Sequence, residues 1–322
     1  LDDEDRTLAI NYTSGTTGRP KGVMYTHRSA MLNALGEMIV HGLGRDSTFL
    51  WTLPLFHCNG WCFPWAVTGS GGKHVMLRAV EPARMLELVE AEGVTHFNGA
   101  PTVLTMVAYH PAAADGPPPR RVEIATGGAP PSPAILERMA ELDMHVTHLY
   151  GLTETYGPAT ICQWQPEWDR LDGAAQATIK ARQGVGTITS EETRVVDESG
   201  ADVPADGVTI GEVAIRGNNL MMGYYRDEGA TERAIPDGWF RTGDLGEMHP
   251  DGSVELRDRA KEIIIYGGEK IASIEVEQAV ASHPDLLEVA VIAHPYEKWG
   301  EIPVAYVTPQ TGVHVTGTDI IE

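Results

Sequence analysis

The sequence predicts an α/β fold: a mostly parallel sheet with flanking helices, then a small β-rich subdomain and a partial α+β C-terminal domain. Three observations carry that expectation. Up to about residue 165, short β-like apolar runs alternate with helical patterns. After residue 185 the texture turns to short β-rich segments broken by Gly, Pro and Asp, and near Asp258 it changes again to strand, helix and strand. The changes divide the chain into 1–184, 185–257 and 258–322, a division that a length of 322 residues can support with a large core.

Taken in order, residues 8–12 read as a strand and a helix is expected from near Thr26. Residues 48–53, 74–77, 95–98, 122–126 and 145–149 read as buried strands. Between them, residues 84–91 carry Met85, Leu88 and Val89 at helical spacing, and residues 134–142 carry Ile135, Leu136, Met139 and Leu142. Residues 111–119, with three alanines and four prolines, read as a surface connection. Segments 193–196, 211–216 and 253–256 suggest a small antiparallel barrel or sheet. Last come a strand at 262–266, a helix capped by Ser273 and running through His283, and strands at 288–293 and 304–308.

Composition narrows the class. The chain is 42% hydrophobic and 21% charged, as ordinary soluble globular proteins are. Lys and Arg number 24 against 45 Asp and Glu, and a net charge of −21 argues against a nucleic-acid partner. No apolar run approaches the ~18 residues that span a bilayer, and the N-terminus lacks the basic and apolar regions of a signal peptide, so a cytoplasmic protein is expected. Cys58, Cys62 and Cys162 are too few and too unevenly spaced for a disulfide framework or zinc site, and read as buried thiols.

The most informative stretch is Thr13-Ser14-Gly15-Thr16-Thr17-Gly18-Arg19-Pro20-Lys21-Gly22. Glycines let backbone N–H groups approach an oxygen closely, hydroxyls donate, and Lys21 adds charge, so the loop can wrap a polyphosphate. No Ser or Thr follows the lysine, so it is not a GxxxxGK[ST] loop. A Ser/Thr/Gly-rich surface turn is the competing reading. This loop, Gly127-Gly128-Ala129-Pro130 after strand 122–126, and Tyr150-Gly151-Leu152-Thr153-Glu154-Thr155 after strand 145–149 are all expected beyond carboxyl strand ends, converging on one crevice.

Within that crevice Glu154, between two hydroxyls, is the candidate Mg²⁺ ligand and Thr153 a phosphate or carboxylate donor, against a solvated turn glutamate. Asp244, in Thr242-Gly243-Asp244-Leu245, fits an acceptor for ribose hydroxyls, against a plain β-turn aspartate. His57 and Trp61, in Pro54-Leu55-Phe56-His57-Cys58-Asn59-Gly60-Trp61, suit an apolar pocket for a small organic substrate, against a core histidine. The charged cluster Asp258-Arg259-Ala260-Lys261-Glu262, followed by Gly267-Gly268, falls at the second change of texture, where a hinge would lie.

In this order the motifs TSGTTGRPKG (13–22), GGAP (127–130), YGLTET (150–155), TGDL (242–245), DRAKEIIIYGGE (258–269) and IEVE (274–277) resemble the adenylate-forming superfamily of acyl-CoA synthetases, aryl-CoA ligases, luciferases and adenylation domains. Residues 50–61 and 156–169 are most similar to the branch that activates short- and medium-chain acids, including 3-methylthiopropionate. The resemblance implies that ATP and a small carboxylic acid form an acyl-adenylate and pyrophosphate, with coenzyme A then displacing AMP. It implies that Thr13, Ser14, Gly15, Thr16, Thr17, Gly18 and Lys21 hold the β- and γ-phosphates. Gly128, Ala129 and Pro130 would line the adenine and acyl sites, Tyr150 and Gly151 would meet the adenine, and Asp244 and Arg259 would hold the ribose. Lys21, His57, Thr153 and Glu154 form the implied catalytic set, with Glu154 on Mg²⁺ and His57 and Trp61 shaping the acyl pocket. Asp258 would be the hinge of a rotating C-terminal domain, and Gly267 and Gly268 would border the pantetheine tunnel.

Members of the superfamily carry a large region before the phosphate loop and a C-terminal Gly-Lys motif. Here the loop starts at residue 13 and the chain stops at Glu322, so an internal fragment is expected. Two alternatives stay open: an adenylate handed to an acceptor other than coenzyme A, and a non-catalytic nucleotide-binding fragment. The sequence gives no oligomeric state and leaves a homodimer open.

Overall fold

A computed structural model describes residues 2–13, 20–128, 131–259, 263–266, 269–281, 283, 285–296, 298–310 and 312–321. Its largest sheet has seven strands in the order Lys73–Met76, Thr48–Trp51, His96–Gly99, Val122–Gly127, Met144–Tyr150, Thr160–Ile161 and Val185–Gly186. The first five pair in parallel and the last two join antiparallel. All five strands expected from apolar runs are present. Their continuous apolar character demands cover on both faces, and helices supply it. On one face Pro82–Glu92, Pro101–Ala108 and Pro133–Glu141 pack Met85, Leu104 and Met139 against Phe97 and Ile124. On the other, His27–Val40 and Phe63–Ser70 pack Ala34, Phe63 and Val67 against Phe49.

Local chemistry sets the helix starts. Each helix of the first group opens on a proline, whose missing N–H is no loss in a first turn. Thr26 caps the helix His27–Val40 through a reciprocal box with Ser29, so the helix starts near Thr26 as expected.

The structure corrects two expectations. The opening loop does not run from a strand of the parallel sheet into a helix. It joins two antiparallel strands, Thr7–Thr13 and Lys21–Thr26, which form a separate sheet with Gly223–Tyr224. Val23 and Tyr25 are fully buried there, and their burial holds residues 21–26 extended before the helix begins. Residues 111–119 are not wholly connection either: Pro111–Asp115 form a 3₁₀ turn in which the His110 ring accepts from the Ala112 N–H and Ala113 is buried.

The β-rich stretch resolves as an open antiparallel sheet in the order Arg194–Val196, Ile210–Ile215, Phe240–Met248 and Val254–Arg259. The last sheet orders Glu269–Ile271, Ile264–Tyr266, Gly300–Pro309 and Leu286–Tyr296, with the helix Ser273–Ala281 against it. Among the described residues, no helix is long and apolar enough to cross a membrane.

Candidate active site

Beyond the carboxyl ends of the neighbouring strands Val122–Gly127 and Met144–Tyr150 lies a cleft of about 870 Å³. Thr13 and Lys21 reach it as the last pair of the first hairpin. Gly127 and Gly128, the turn from Gly151 to Glu154, Asp244, and the pair His57 and Trp61 complete its wall. Segments far apart in sequence thus meet at the position where open α/β sheets bind ligands.

The turn after Tyr150 is fixed from within and without. Its pivot is Thr155, fully buried, whose hydroxyl accepts from the Leu152 N–H at 2.9 Å and donates to the Gly157 carbonyl at 2.6 Å. Gly151 has to be glycine: a Cβ there would stand 2.2 Å from the Gly157 carbonyl oxygen. From outside, Asn33 donates to the Thr155 carbonyl at 3.3 Å, Tyr25 donates to the Thr153 carbonyl at 2.7 Å, and the Met221 N–H donates to the Glu154 carbonyl at 2.9 Å. Burial, reinforced by Cys58 and Glu154, raises the pKa of Tyr25 and keeps it a donor. Its ring stacks on Tyr156 with centroids 3.6 Å apart.

Tyr150 and Asp244, expected to serve the adenine and the ribose separately, are joined: the Tyr150 hydroxyl donates to Asp244 Oδ2 at 2.6 Å, and both residues are buried. The turn that presents Asp244 depends on Glu212, which accepts from the Gly243 N–H at 3.0 Å, and on Thr242, whose hydroxyl accepts from the Asp244 N–H at 3.1 Å. Gly243 sits at φ +76°, where a side chain would be strained.

On the hairpin side, the Lys21 ammonium lies 4.6 Å from the centre of the Tyr224 ring, and the Tyr224 hydroxyl donates to Glu154 Oε1 at 2.8 Å. Arg233 and Arg241 also line the cleft, beside the carboxylates Glu154, Glu212 and Asp244, and Arg241 pairs with Glu212 at 3.8 Å.

The wall that carries His57 and Trp61 is built differently. His57 is exposed and lines the cleft, which removes the core-histidine reading. It leads into Cys58, Asn59, Gly60, Trp61 and Cys62, all with φ between 43° and 63°, a turn of left-handed helix. The Trp61 ring is packed on the Gly127 backbone so closely that a Cβ on Gly127 would meet it at 3.2 Å. Burial pushes the Cys58 thiol up to about 11, against the pull of Thr153, so this cysteine beside the site is a poor nucleophile.

Of the residues singled out from sequence, Thr13, Lys21, His57, Trp61, Gly128, Gly151, Thr153, Glu154 and Asp244 come together in the cleft, with Tyr150 on Asp244 behind it. Ser14, Gly15, Thr16, Thr17, Gly18, Ala129, Pro130, Gly267 and Gly268 lie outside the described residues, as do the side chains of Asp258 and Arg259. The backbone of those last two pairs with Leu245 and Asp244 at the end of the strand Val254–Arg259. Sequence reasoning missed Tyr25, Asn33, Glu212 and Tyr224. Their partners lie in distant segments of the chain, and only for Glu212 was a strand expected, at 211–216.

Comparison with known proteins agrees with this geometry. Residues 1–225 match the family model described as AMP-binding enzyme, and residues 275–322 match that of the AMP-binding enzyme C-terminal domain. An acetate–CoA ligase from Humulus lupulus is 46% identical over 322 residues, covering 99% of this chain and 57% of the relative. A 2-methylpropanoate–CoA ligase from the same plant is 46% identical over 308 residues, covering 95% and 55%. The chain therefore spans a little more than half the length of these relatives. Among solved structures, the O-succinylbenzoate coenzyme A synthetase of Bacillus subtilis, in complex with ATP and magnesium ion, superposes with a TM-score of 0.81 at 28% identity, covering 97% of this chain and 62% of that one.

Proposed function

The chain belongs to the AMP-binding enzyme family, and from that premise we propose that it serves an AMP-forming ligase activity that activates a small carboxylic acid with ATP and passes the acyl group to coenzyme A. The observation that carries the proposal is that Lys21, Thr153, Glu154, Asp244, His57 and Trp61 line one cleft. Such a lining supports a nucleotide and an acid bound side by side, as attack of the carboxylate on the α-phosphorus requires.

The roles follow from chemistry. Thr13 and Lys21, with Ser14 to Gly18, hold the β- and γ-phosphates, whose charge would otherwise be repelled by an acidic protein. The donor set fits a hard cation: Glu154 offers a carboxylate with its Oε1 anchored by Tyr224, and Mg²⁺ bound there would neutralise the departing pyrophosphate. Asp244, held by Tyr150, accepts from the ribose hydroxyls and Arg259 donates to the ribose oxygens, and the stretch from Gly128 to Pro130 borders the adenine. The acid carboxylate attacks the α-phosphorus and pyrophosphate leaves; the coenzyme A thiolate then attacks the acyl carbon and AMP leaves. For the second step the unit 258–322 rotates about Asp258, bringing Gly267 and Gly268 to the pantetheine, which keeps the mixed anhydride from water. The Trp61 ring on Gly127 leaves a compact acid end, consistent with the acetate and 2-methylpropanoate of the relatives' names. Three free, buried cysteines support the reducing environment of the cytoplasm.

The test is acid-dependent ATP–pyrophosphate exchange across acids from acetate to octanoate, followed by CoA-dependent AMP release. We expect exchange with short acids, and Glu154→Gln to lower it at least a hundredfold, the scale of losing a charge-stabilising group. Exchange without thioester would overturn the coenzyme A step in favour of another acceptor. ATP binding without exchange for any acid would overturn the ligase reading and leave a nucleotide-binding scaffold.

A further inference from the structure

Lys21 and Glu154 carry opposite charges in one cleft, yet each takes Tyr224 as its partner. The Lys21 ammonium lies over the ring, 4.6 Å from its centre, and Glu154 Oε1 accepts from the hydroxyl at 2.8 Å. A direct ion pair would neutralise both groups and withdraw them from any ligand. The tyrosine does neither: the ring face attracts the cation without a proton or an anion, and a single hydroxyl leaves the carboxylate its charge and its remaining lone pairs.

The ring is itself held in place. Its backbone N–H donates to Thr231 Oγ1 at 2.9 Å, and Gly223–Tyr224 pairs with Val23 and Met24 on the strand that carries Lys21. On either side the Met221 N–H donates to the Glu154 carbonyl at 2.9 Å and the Tyr225 N–H to the Gly22 carbonyl at 2.6 Å. Residues 221–225 therefore stitch the arm bearing the lysine to the turn bearing the carboxylate. We propose that Tyr224 is a positioning residue for the nucleotide and its metal, its ring holding Lys21 for phosphate and its hydroxyl holding Glu154 for the cation. The inference rests on reading the cleft as a Mg·ATP site.

Calorimetric titration separates the two halves of the role. Wild type, Tyr224→Phe and Tyr224→Leu are titrated with ATP in excess Mg²⁺ and with ATP in EDTA, and melting temperatures confirm that the variants fold. Tyr224→Phe keeps the ring, so metal-free ATP should bind as to wild type while Mg·ATP binds about tenfold more weakly, the scale of one hydrogen bond to a charged group. Tyr224→Leu should weaken both. Tyr224→Phe binding Mg·ATP like wild type would overturn the inference, and so would an equal loss with and without metal, which is the signature of packing alone. Wild type binding neither form would overturn the nucleotide reading itself, and this inference with it.

Discussion

Residues 58–62 and residues 151–157 touch beside the cleft, and they hold unusual backbone by opposite means. The Cys62 thiol donates to the Tyr156 carbonyl at 2.9 Å, and a Cβ on Gly157 would lie 3.4 Å from the Trp61 backbone. In 151–157 the left-handed residue Tyr156, at φ +59°, is bracketed by the hydrogen bonds of Thr155, Asn33 and Tyr25. In 58–62 five successive residues have positive φ and only Gly60 is a glycine, with the Gly60 N–H bonding back to the His57 carbonyl at 2.8 Å. A left-handed turn costs about 1 to 2 kcal/mol per non-glycine residue, so this segment is strained and is kept by burial of Cys58 and Cys62. A polar frame fixes the turn that carries Thr153 and Glu154, while strain and packing shape the turn that carries Trp61. Under the proposed function, acid preference can then change without rebuilding the nucleotide site.

The comparison breaks most sharply at Gly151→Ala. The new methyl would sit 2.2 Å from the Gly157 carbonyl oxygen and 2.9 Å from Thr155 Oγ1, both part of the frame that cannot yield. We expect a loss of about 3 kcal/mol or more in urea unfolding, the range of severe overpacking, together with loss of ATP binding. Gly60→Ala is the milder counterpart in the other turn: its methyl meets the Trp51 ring at 3.0 Å, a side chain rather than backbone, and at φ +59° it adds about 1 kcal/mol of left-handed strain. If Gly60→Ala proved the more damaging of the two, the assignment of rigidity would be reversed.

Acid should attack the two turns unequally. His148 lies on the strand that feeds 151–157, its Nδ1 within 3.0 Å of the Ala181 and Arg182 carbonyls. Burial lowers its pKa from 6.5 to about 4, outweighing those two carbonyls. The unfolded chain takes up this proton as pH falls through 6.5, whereas the folded chain does not until about 4. Stability from this group is thus complete above 6.5 and declines with falling pH, by up to about 3 kcal/mol at pH 4. Denaturation curves from pH 7 to 4 should show that slope in wild type and lose it in His148→Asn, which keeps a donor but cannot be charged. An unchanged slope in His148→Asn would place the acid sensitivity elsewhere.

What the sequence disclosed and what it hid follow the same division. Strands such as His96–Gly99 and Val122–Gly127 are buried on both faces, so their apolar runs announce them. Motif residues such as Thr153, Glu154 and Asp244 could be picked out because glycine and hydroxyl neighbours mark turns. The strand Lys21–Thr26 was hidden because one of its partners is the two-residue strand Gly223–Tyr224, a pairing that no local periodicity reveals. Tyr224 escaped for the same reason: its partners are Lys21 and Glu154, and on its own it is one tyrosine among 10. The left-handed turn at 58–62 gave no signal except Asn59-Gly60, since a run of positive φ through cysteine and tryptophan is not what those residue types prefer.

The smallest effect expected is also the one that separates strain from design by hydrogen bonding. Asn59, at φ +43°, carries a buried Oδ1 with no partner among the described residues. Asn59→Gly relieves the backbone strain and removes an unsatisfied acceptor, against the added entropy of glycine in the unfolded chain. The balance should be a gain of about 1 kcal/mol, read as a higher urea midpoint at unchanged m-value. The matching change in the other turn, Tyr156→Gly, also removes a left-handed side chain, yet there it deletes a ring stacked on Tyr25 at 3.6 Å and should lose about 3 kcal/mol. A glycine at 59 leaves the backbone ahead of Trp61 freer to move, so the apparent KM for the acid should rise in Asn59→Gly while that for ATP stays put. A variant that is destabilised, or whose KM for ATP rises in step, would mean that residues 58–62 belong to the same rigid frame as residues 151–157.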